Sequence, residues 1–213
     1  MKQAVVAAFL TAFSAGSVLL AQQGEPTPVS IGIVLDTSGS MRGKMPLARQ
    51  LLSELLKYGD LPGEFALIEA SDEPLVLREL GGDIDRLLNY ARPTEAKGGS
   101  ALMDAIYLGL QAANSGRNER KVLLVISDGG DDGSNHTIAE VENAIRNAGI
   151  RVLVLAVGTP IIEEAEALQE LAGRASLGQL AENVGGRYFD VQGSLEVPRI
   201  VAELRTAMLA SEL

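Results

Sequence analysis

Short apolar runs alternate with amphipathic stretches along most of this chain. The run 29–36 is apolar, rich in β-branched residues and ends at an acid, which predicts a buried strand. Residues 44–58 then place leucines at three- and four-residue spacing, which predicts a helix with one apolar face. The second half repeats the pattern, with strands predicted over 121–127 and 151–157 and a helix over 137–148.

The remaining segments fit the same scheme. The runs 65–68 and 75–77 flank a turn that contains Pro74, so we expect an antiparallel edge pair of strands there. The other predicted elements are helices over 83–90, 100–113, 163–184 and 195–211 and a short strand over 187–190. Alternation of this kind predicts an α/β fold with a doubly wound, mostly parallel sheet and helices on both faces.

Polar side chains follow two of the predicted strands at the point where each strand ends. Asp36, Ser38 and Ser40 come directly after the first strand, and Asp128 follows the strand of the second half. Ligands bind a doubly wound sheet at the carboxyl ends of its strands, where the strand order reverses. We therefore expect Asp36 and Asp128 to meet if their strands flank that point. Ser100, at the start of an apolar helix, adds a further hydroxyl.

These side chains offer two carboxylates and three hydroxyls, a set suited to a hard cation rather than to a nucleophile with its base. Magnesium prefers octahedral oxygen coordination at about 2.1 Å and keeps several waters. Two carboxylates nearly balance its charge, and neutral hydroxyls leave the ion able to accept one further oxygen, ideally a carboxylate. The ligand types favour Mg²⁺ or Mn²⁺ over Ca²⁺. No catalytic residue is predicted.

Each of these motifs, taken by itself, also has an ordinary structural interpretation. Ser100 is typical of a helix N-cap, Asp36 or Ser40 would cap a turn, and Asp128 followed by glycine is typical of a plain turn. Asp131 and Asp132 lack the alternate spacing of a calcium-binding EF-hand loop. That acidic loop is expected to be solvated, with an accessory cation or a role in partner selection as the alternatives.

The combination of three loops resembles a known site. Asp36-Thr37-Ser38-Gly39-Ser40-Met41, Gly98-Gly99-Ser100 and Ser127-Asp128-Gly129 resemble the metal-ion-dependent adhesion site (MIDAS) of von Willebrand factor type A (VWA) domains of the secreted bacterial type. The resemblance runs from Val29 to the C-terminus and implies the Rossmann-like VWA fold. It also implies that Ser38 and Ser40 ligate the ion directly, that Ser100 supplies a distal-loop hydroxyl, and that Asp36 and Asp128 act directly or through water. Family members commonly carry threonine where this chain has Ser100, and serine lacks the methyl group that restricts the rotamer.

The resemblance implies a protein-binding module, not an enzyme, which docks an Asp or Glu of its partner through a Mg²⁺-type site. The alternatives are a metal-dependent hydrolase that uses the same strand-end acids and a VWA scaffold without metal. A haloacid-dehalogenase-like phosphohydrolase needs a second acid two residues after Asp36, where this chain has Ser38. A serine hydrolase needs glycine two places on each side of its nucleophile, where Ser38 has Asp36 and Ser40.

The N-terminal segment sets the cellular context. Residues 1–21 carry Lys2 and then an uncharged, small-residue-rich stretch, which predicts a signal peptide, with an uncleaved membrane anchor as the alternative. Residues 22–28 are interpreted as a linker and 29–213 as the VWA domain. We therefore expect a secreted, periplasmic or cell-envelope protein that contacts the membrane only if its N-terminal segment is uncleaved.

Composition narrows the classes of partner. The formal net charge is −10 and no basic stripe is present, so nucleic acid is disfavoured. The chain has no cysteine and a single histidine, His136, which excludes disulfides, thiolate metal sites and histidine-rich metal clusters. His136 is expected to be a surface or capping residue. Arg42 and Lys44, beside the predicted site, would either steer an acidic partner or be solvent-facing structural cations.

Overall fold

The computed structural model describes residues 27–58, 61–92, 94–158 and 164–210. The predicted signal peptide, most of the predicted linker and the last three residues lie outside the described residues. Within the described ranges, no helix combines the length and the apolar character that crossing a bilayer requires.

The described strands form one sheet whose order reverses between its first and fourth strands. All neighbouring pairs are parallel except the second and third strands, which pair antiparallel at one edge. The mostly parallel, doubly wound sheet and the antiparallel edge pair are thereby confirmed. The strand order is β3-β2-β1-β4-β5-β6, with β1 Val29–Asp36, β2 Gly63–Ala70, β3 Leu75–Gly81, β4 Arg120–Ser127, β5 Arg151–Val157 and β6 Arg187–Val191.

Helices cover both faces of this sheet. One buried apolar cluster joins one face to the first, second and last helices, and a second cluster joins the other face to the three helices between them. Because β1 is buried along its whole length, both of its faces are apolar, which explains its near-continuous hydrophobic run. The helices are α1 Met45–Tyr58, α2 Ile84–Ala91, α3 Leu102–Ser115, α4 Ile138–Ala148, α5 Glu164–Asn183 and α6 Val197–Leu209.

Helix α3 lies unusually close to β1. A Cβ atom built on Gly32 would lie 2.1 Å from the carbonyl oxygen of Gly109, and one built on Gly109 would lie 2.6 Å from Cγ2 of Val34. Gly32 of β1 faces Ala113 of α3. Val34, which lies further along β1, faces Gly109, which comes earlier in the helix. The helix is therefore antiparallel to β1, and the loop before it lies where β1 ends.

The predicted and observed element bounds differ most at the antiparallel edge pair and at the starts of two helices. The edge strands span Gly63–Ala70 and Leu75–Gly81, against the predicted 65–68 and 75–77. The helix predicted over 100–113 begins at Leu102, and the helix predicted over 195–211 begins at Val197 after a short 3₁₀ turn over Ser194–Glu196. Pro198 lies in the first turn of α6, where its missing N–H costs nothing. These shifts leave the strand ends that carry the site in place.

Candidate metal site

Asp36 and Asp128 follow two neighbouring strands at the point where the strand order reverses. The register pairs Leu35 of β1 with Ile126 of β4. Just beyond that pair, Ser127 Oγ donates a hydrogen bond of 2.5 Å to Asp36 Oδ2. The other carboxylate oxygen of Asp36 accepts a 2.9 Å hydrogen bond from the backbone N–H of Ser38. The loops after β1 and β4 are therefore joined through the Asp36 carboxylate.

The Asp36 carboxylate is fully buried, and its negative charge is costly there. Burial raises its pKa to about 6, although hydrogen bonds from Ser127 and from the backbone of Ser38 lower it. The nearby negative charge of Asp128 contributes to this rise. A cation bound between the two carboxylates would relieve both the desolvation and the repulsion.

The serines after Asp36 lie on a tight turn that contacts a third loop. Ser38 Oγ and Ser40 Oγ are 3.1 Å apart and share a hydrogen bond. Ser38 is buried, whereas Ser40 is exposed. Between them, the backbone N–H of Gly39 donates a 2.9 Å hydrogen bond to the carbonyl oxygen of Gly98. The turn after β1 is thereby held against the loop that contains Ser100.

Ser100 carries a buried hydroxyl for which the described residues supply no hydrogen-bond partner. The helix-capping alternative for this residue is wrong, because Ala101 occupies the N-cap position of α3 and the Ser100 hydroxyl makes no described capping hydrogen bond. A buried polar group without a partner costs about 1–3 kcal/mol, so native structures rarely leave one. The Ser100 hydroxyl thus fits a ligand that the described residues do not provide.

Acidic side chains hold the Ser100 loop through its backbone. Asp132 Oδ1 accepts a 2.8 Å hydrogen bond from the N–H of Ser100, and Asp131 Oδ1 accepts one of 2.9 Å from Leu102. Asp72 accepts a 2.8 Å bond from the N–H of Gly99. Asp131 and Asp132 are exposed, as expected for a solvated loop, but they also connect the β4 loop to the start of α3.

Lys44 is a buried member of the site, and its interpretation as a solvent-facing cation is wrong. Its Nζ lies 2.8 Å from Asp128 Oδ2 and 2.7 Å from Glu170 Oε2. Burial lowers the pKa of the ammonium group, but the hydrogen bonds to Asp128 and Glu170 raise it above its ordinary value. Nothing in the sequence indicated Glu170, because it lies within α5 rather than at a strand end.

A cavity of about 280 Å³ opens beside these groups. Of the predicted ligands, Ser40 and Asp128 line it, together with Lys44 and Glu170. Asp36 and Ser38 are connected to this lining by the hydrogen bonds described above. Ser100 is brought close through its own loop, whose backbone bonds to both neighbouring loops.

The donor set fits a hard cation only if the serine hydroxyls take part. The described residues contain no group of three or more His, Cys, Asp or Glu side chains that would hold a metal ion by themselves. Two carboxylates and three hydroxyls on three adjoining loops are the alternative, and all are oxygen donors of the kind that Mg²⁺ and Mn²⁺ accept.

His136 belongs to a separate cluster. Its Nδ1 lies 2.7 Å from Asp104 Oδ1, and its ring stacks on Tyr107 with 4.3 Å between centroids. Burial raises the pKa of Asp104, but hydrogen bonds from the backbone of Asn135 and His136 outweigh it and bring the pKa to about 2. The residue that caps α4 is Thr137, so His136 is a half-buried partner of Asp104 rather than a cap.

Comparison with solved structures shows the same fold in several bacterial proteins. BatB from Bacteroides thetaiotaomicron superposes with a TM-score of 0.66 at 19% identity, over 84% of this chain and 98% of that one. The vWF domain of the type V pili tip protein Mfa5 from Porphyromonas gingivalis gives 0.64 at 12% identity, over 89% and 99%. The PilB minor pilin from Streptococcus sanguinis gives 0.65 at 13% identity, over 90% of this chain and 64% of the pilin.

Sequence comparison identifies the family. No curated protein sequence gives a significant match. The model of the von Willebrand factor type A domain, however, matches residues 30–201, which include the loops of the candidate site and the six described strands except Val29. The chain therefore belongs to the von Willebrand factor type A domain family.

Proposed function

We propose that this VWA domain is a divalent-cation-dependent protein-binding module of the secreted or cell-envelope type. Its site would hold Mg²⁺ or Mn²⁺ and dock an acidic residue of a protein partner. The observation that carries the proposal is the buried Ser100 hydroxyl, which has no partner among the described residues. It lies on a loop held against two others that bear buried carboxylates. The proposed ligands are Asp36, Ser38, Ser40, Ser100 and Asp128.

The five proposed ligands would supply the ion with two kinds of oxygen, neutral and charged. Ser38, Ser40 and Ser100 would supply neutral oxygens, while Asp36 and Asp128 would supply the charge. Asp36 is already oriented by Ser127 and by the backbone of Ser38, which fixes the carboxylate before any ion arrives. A metal bound here would offer a further coordination position to the carboxylate of a partner.

Binding rather than hydrolysis is favoured by the partners of the serine hydroxyls. Ser38 and Ser40 hydrogen-bond to each other. The only histidine of the chain, His136, is hydrogen-bonded to Asp104 and stacked on Tyr107. A serine nucleophile is ordinarily activated by an adjacent histidine, and neither serine has a histidine among its described partners.

Adhesion or assembly outside the cytoplasm is supported by what the similar structures are. Mfa5 is a pilus tip protein, PilB is a minor pilin, and SpaC from Lactobacillus rhamnosus GG is a pilus adhesin with a TM-score of 0.62 at 14% identity. The apolar segment over 1–21 agrees with export by a signal peptide. The chain's negative charge also suits a protein partner better than nucleic acid.

Calorimetric titration with Mn²⁺ tests the metal site. The domain from residue 27 onward should bind one ion, and Asp36→Ala should abolish binding because it removes half of the anionic charge. Asp85→Ala is the matched control, since Asp85 is an exposed acid of α2 that makes only a 3.5 Å contact with Lys57. Equal binding by wild type and Asp36→Ala would contradict the proposed ligand set.

Water-proton relaxation of the Mn²⁺-loaded domain tests the docking step. An ion that keeps exchangeable waters enhances relaxation, and a carboxylate that replaces a water reduces the enhancement. Acetate should therefore lower the enhancement, whereas acetamide, which has the same shape without the charge, should do so far less. An enhancement insensitive to acetate would contradict docking through the metal.

A further inference from the structure

Helix α5 closes one side of the candidate site and brings its own charges to it. Gly129, just after Asp128, has φ +92°, and a Cβ built there would lie 2.2 Å from the carbonyl group of Gly173 in α5. Only glycine allows both this backbone conformation and this close approach. The contact fixes α5 against the β4 loop and places Glu170, one turn before Gly173, beside Lys44.

The charges along this contact alternate in sign. Lys44 Nζ lies between the carboxylates of Asp128 and Glu170, and all three side chains are less than a tenth exposed. The other oxygen of Glu170, Oε1, lies 3.6 Å from Arg174, which also contacts Asp190 of β6. Asp128 is thus shared between the cation site and a buried ammonium group that is itself balanced by Glu170.

We propose that Lys44 and Glu170 form a counter-charge pair that sets the cation affinity of the site. Lys44 competes with a divalent ion for the Asp128 carboxylate, and Glu170 weakens that competition by neutralising Lys44. The proposal rests on the metal site proposed above and adds two residues to it, one of them on α5.

Coulomb interactions give the two residues opposite effects. Removing the charge of Lys44 frees an Asp128 oxygen and removes a repelling cation, so a divalent ion should bind more tightly. Removing the charge of Glu170 leaves Lys44 uncompensated beside the site, so the ion should bind more weakly. Burial strengthens both effects, because solvent screens buried charges less than exposed ones.

Calorimetric titration with Mn²⁺ as the only ligand distinguishes the counter-charge pair from a purely structural role of Lys44 and Glu170. We expect Lys44→Met to bind about tenfold more tightly and Glu170→Gln about tenfold more weakly than wild type. The double variant should return to within about threefold of wild type, because removing one positive and one negative charge leaves the net charge beside the site unchanged. Lys57→Met and Glu203→Gln are matched controls for the change in net charge, because both residues form more exposed ion pairs elsewhere.

The outcomes separate this proposal from the metal site itself. Unchanged affinity in both variants, or weaker binding in both, would overturn the counter-charge pair while leaving the metal site in place. Absence of Mn²⁺ binding to folded wild type would overturn the metal site and this proposal together. If circular dichroism shows that Lys44→Met does not fold, Glu170→Gln decides alone: weaker binding supports the pair and unchanged binding overturns it.

Discussion

At the residue scale, the candidate site is defined by polar groups buried at a cost. Asp36 is a fully buried carboxylate near a second one, and Ser100 is a buried hydroxyl without a described partner. Such groups are retained only where something compensates them. In this domain the compensating group proposed is a divalent cation.

Replacing Ser100 by alanine tests whether its hydroxyl serves the ion or the fold. Because that hydroxyl makes no described hydrogen bond, Ser100→Ala should leave the free energy of unfolding without metal unchanged within about 0.5 kcal/mol, or raise it. Mn²⁺ affinity measured by calorimetry should fall about tenfold, from the loss of one ligand.

Ser115→Ala is the control, since Ser115 is an exposed serine at the other end of α3. It should leave the Mn²⁺ affinity unchanged. A Ser100→Ala variant that is destabilised by more than 2 kcal/mol, yet binds Mn²⁺ as wild type does, would assign Ser100 to the fold.

Asp104 gives a pH dependence with a definite sign. Its pKa is about 2 in the folded protein, against an ordinary value of 3.8, so its full contribution to stability is present only above pH 3.8. That contribution is lost as the pH falls through 3.8 towards 2. Urea unfolding at pH 7 should show Asp104→Asn less stable by about 1–2 kcal/mol, discounted because the side chain keeps some solvent contact. At pH 3 the difference should shrink by roughly half. The same difference at both pH values would contradict the assigned shift.

At the element scale, local pattern predicted the strands and most helices because their apolar periodicity reflects burial directly. The acids and hydroxyls after β1 and β4 were recognisable because a strand end is visible in the sequence. The ion pair between Lys44 and Glu170 was not recognisable in the sequence, because it depends on how α5 packs on the β4 loop. For the same reason, the hydrogen bonds from Asp131 and Asp132 to the Ser100 loop could not be predicted from an acidic loop alone.

The close approach of α3 and β1 yields a stability prediction. Gly109→Ala would place a methyl group 2.6 Å from Val34 Cγ2 and 2.9 Å from Leu123 Cδ1. Overpacking of this kind costs about 1–3 kcal/mol, which urea denaturation would measure. Gly43→Ala is the control, because a Cβ there meets no atom within 4 Å. Equal stability of the two variants would show that α3 shifts freely, and with it the Ser100 loop.

At the scale of the whole molecule, the reversal of strand order between β1 and β4 assembles the site. It brings Asp36 and Asp128 together although 92 positions separate them in the sequence. Helix α3 then brings the Ser100 loop to the same edge, and α5 closes the remaining side with Glu170. We propose that this assembly holds a divalent cation.

Anomalous diffraction from crystals grown with Mn²⁺ would detect this cation, because it locates the ion and its ligands together. We predict one strong peak within bonding distance, about 2.0–2.3 Å, of the hydroxyl oxygens of Ser38 and Ser40, with Ser100, Asp36 and Asp128 surrounding it directly or through water. The same peak should be absent from crystals of Asp36→Ala. A wild-type map without a peak at this position, or with its only peak on the exposed acids Asp131 and Asp132, would contradict the account.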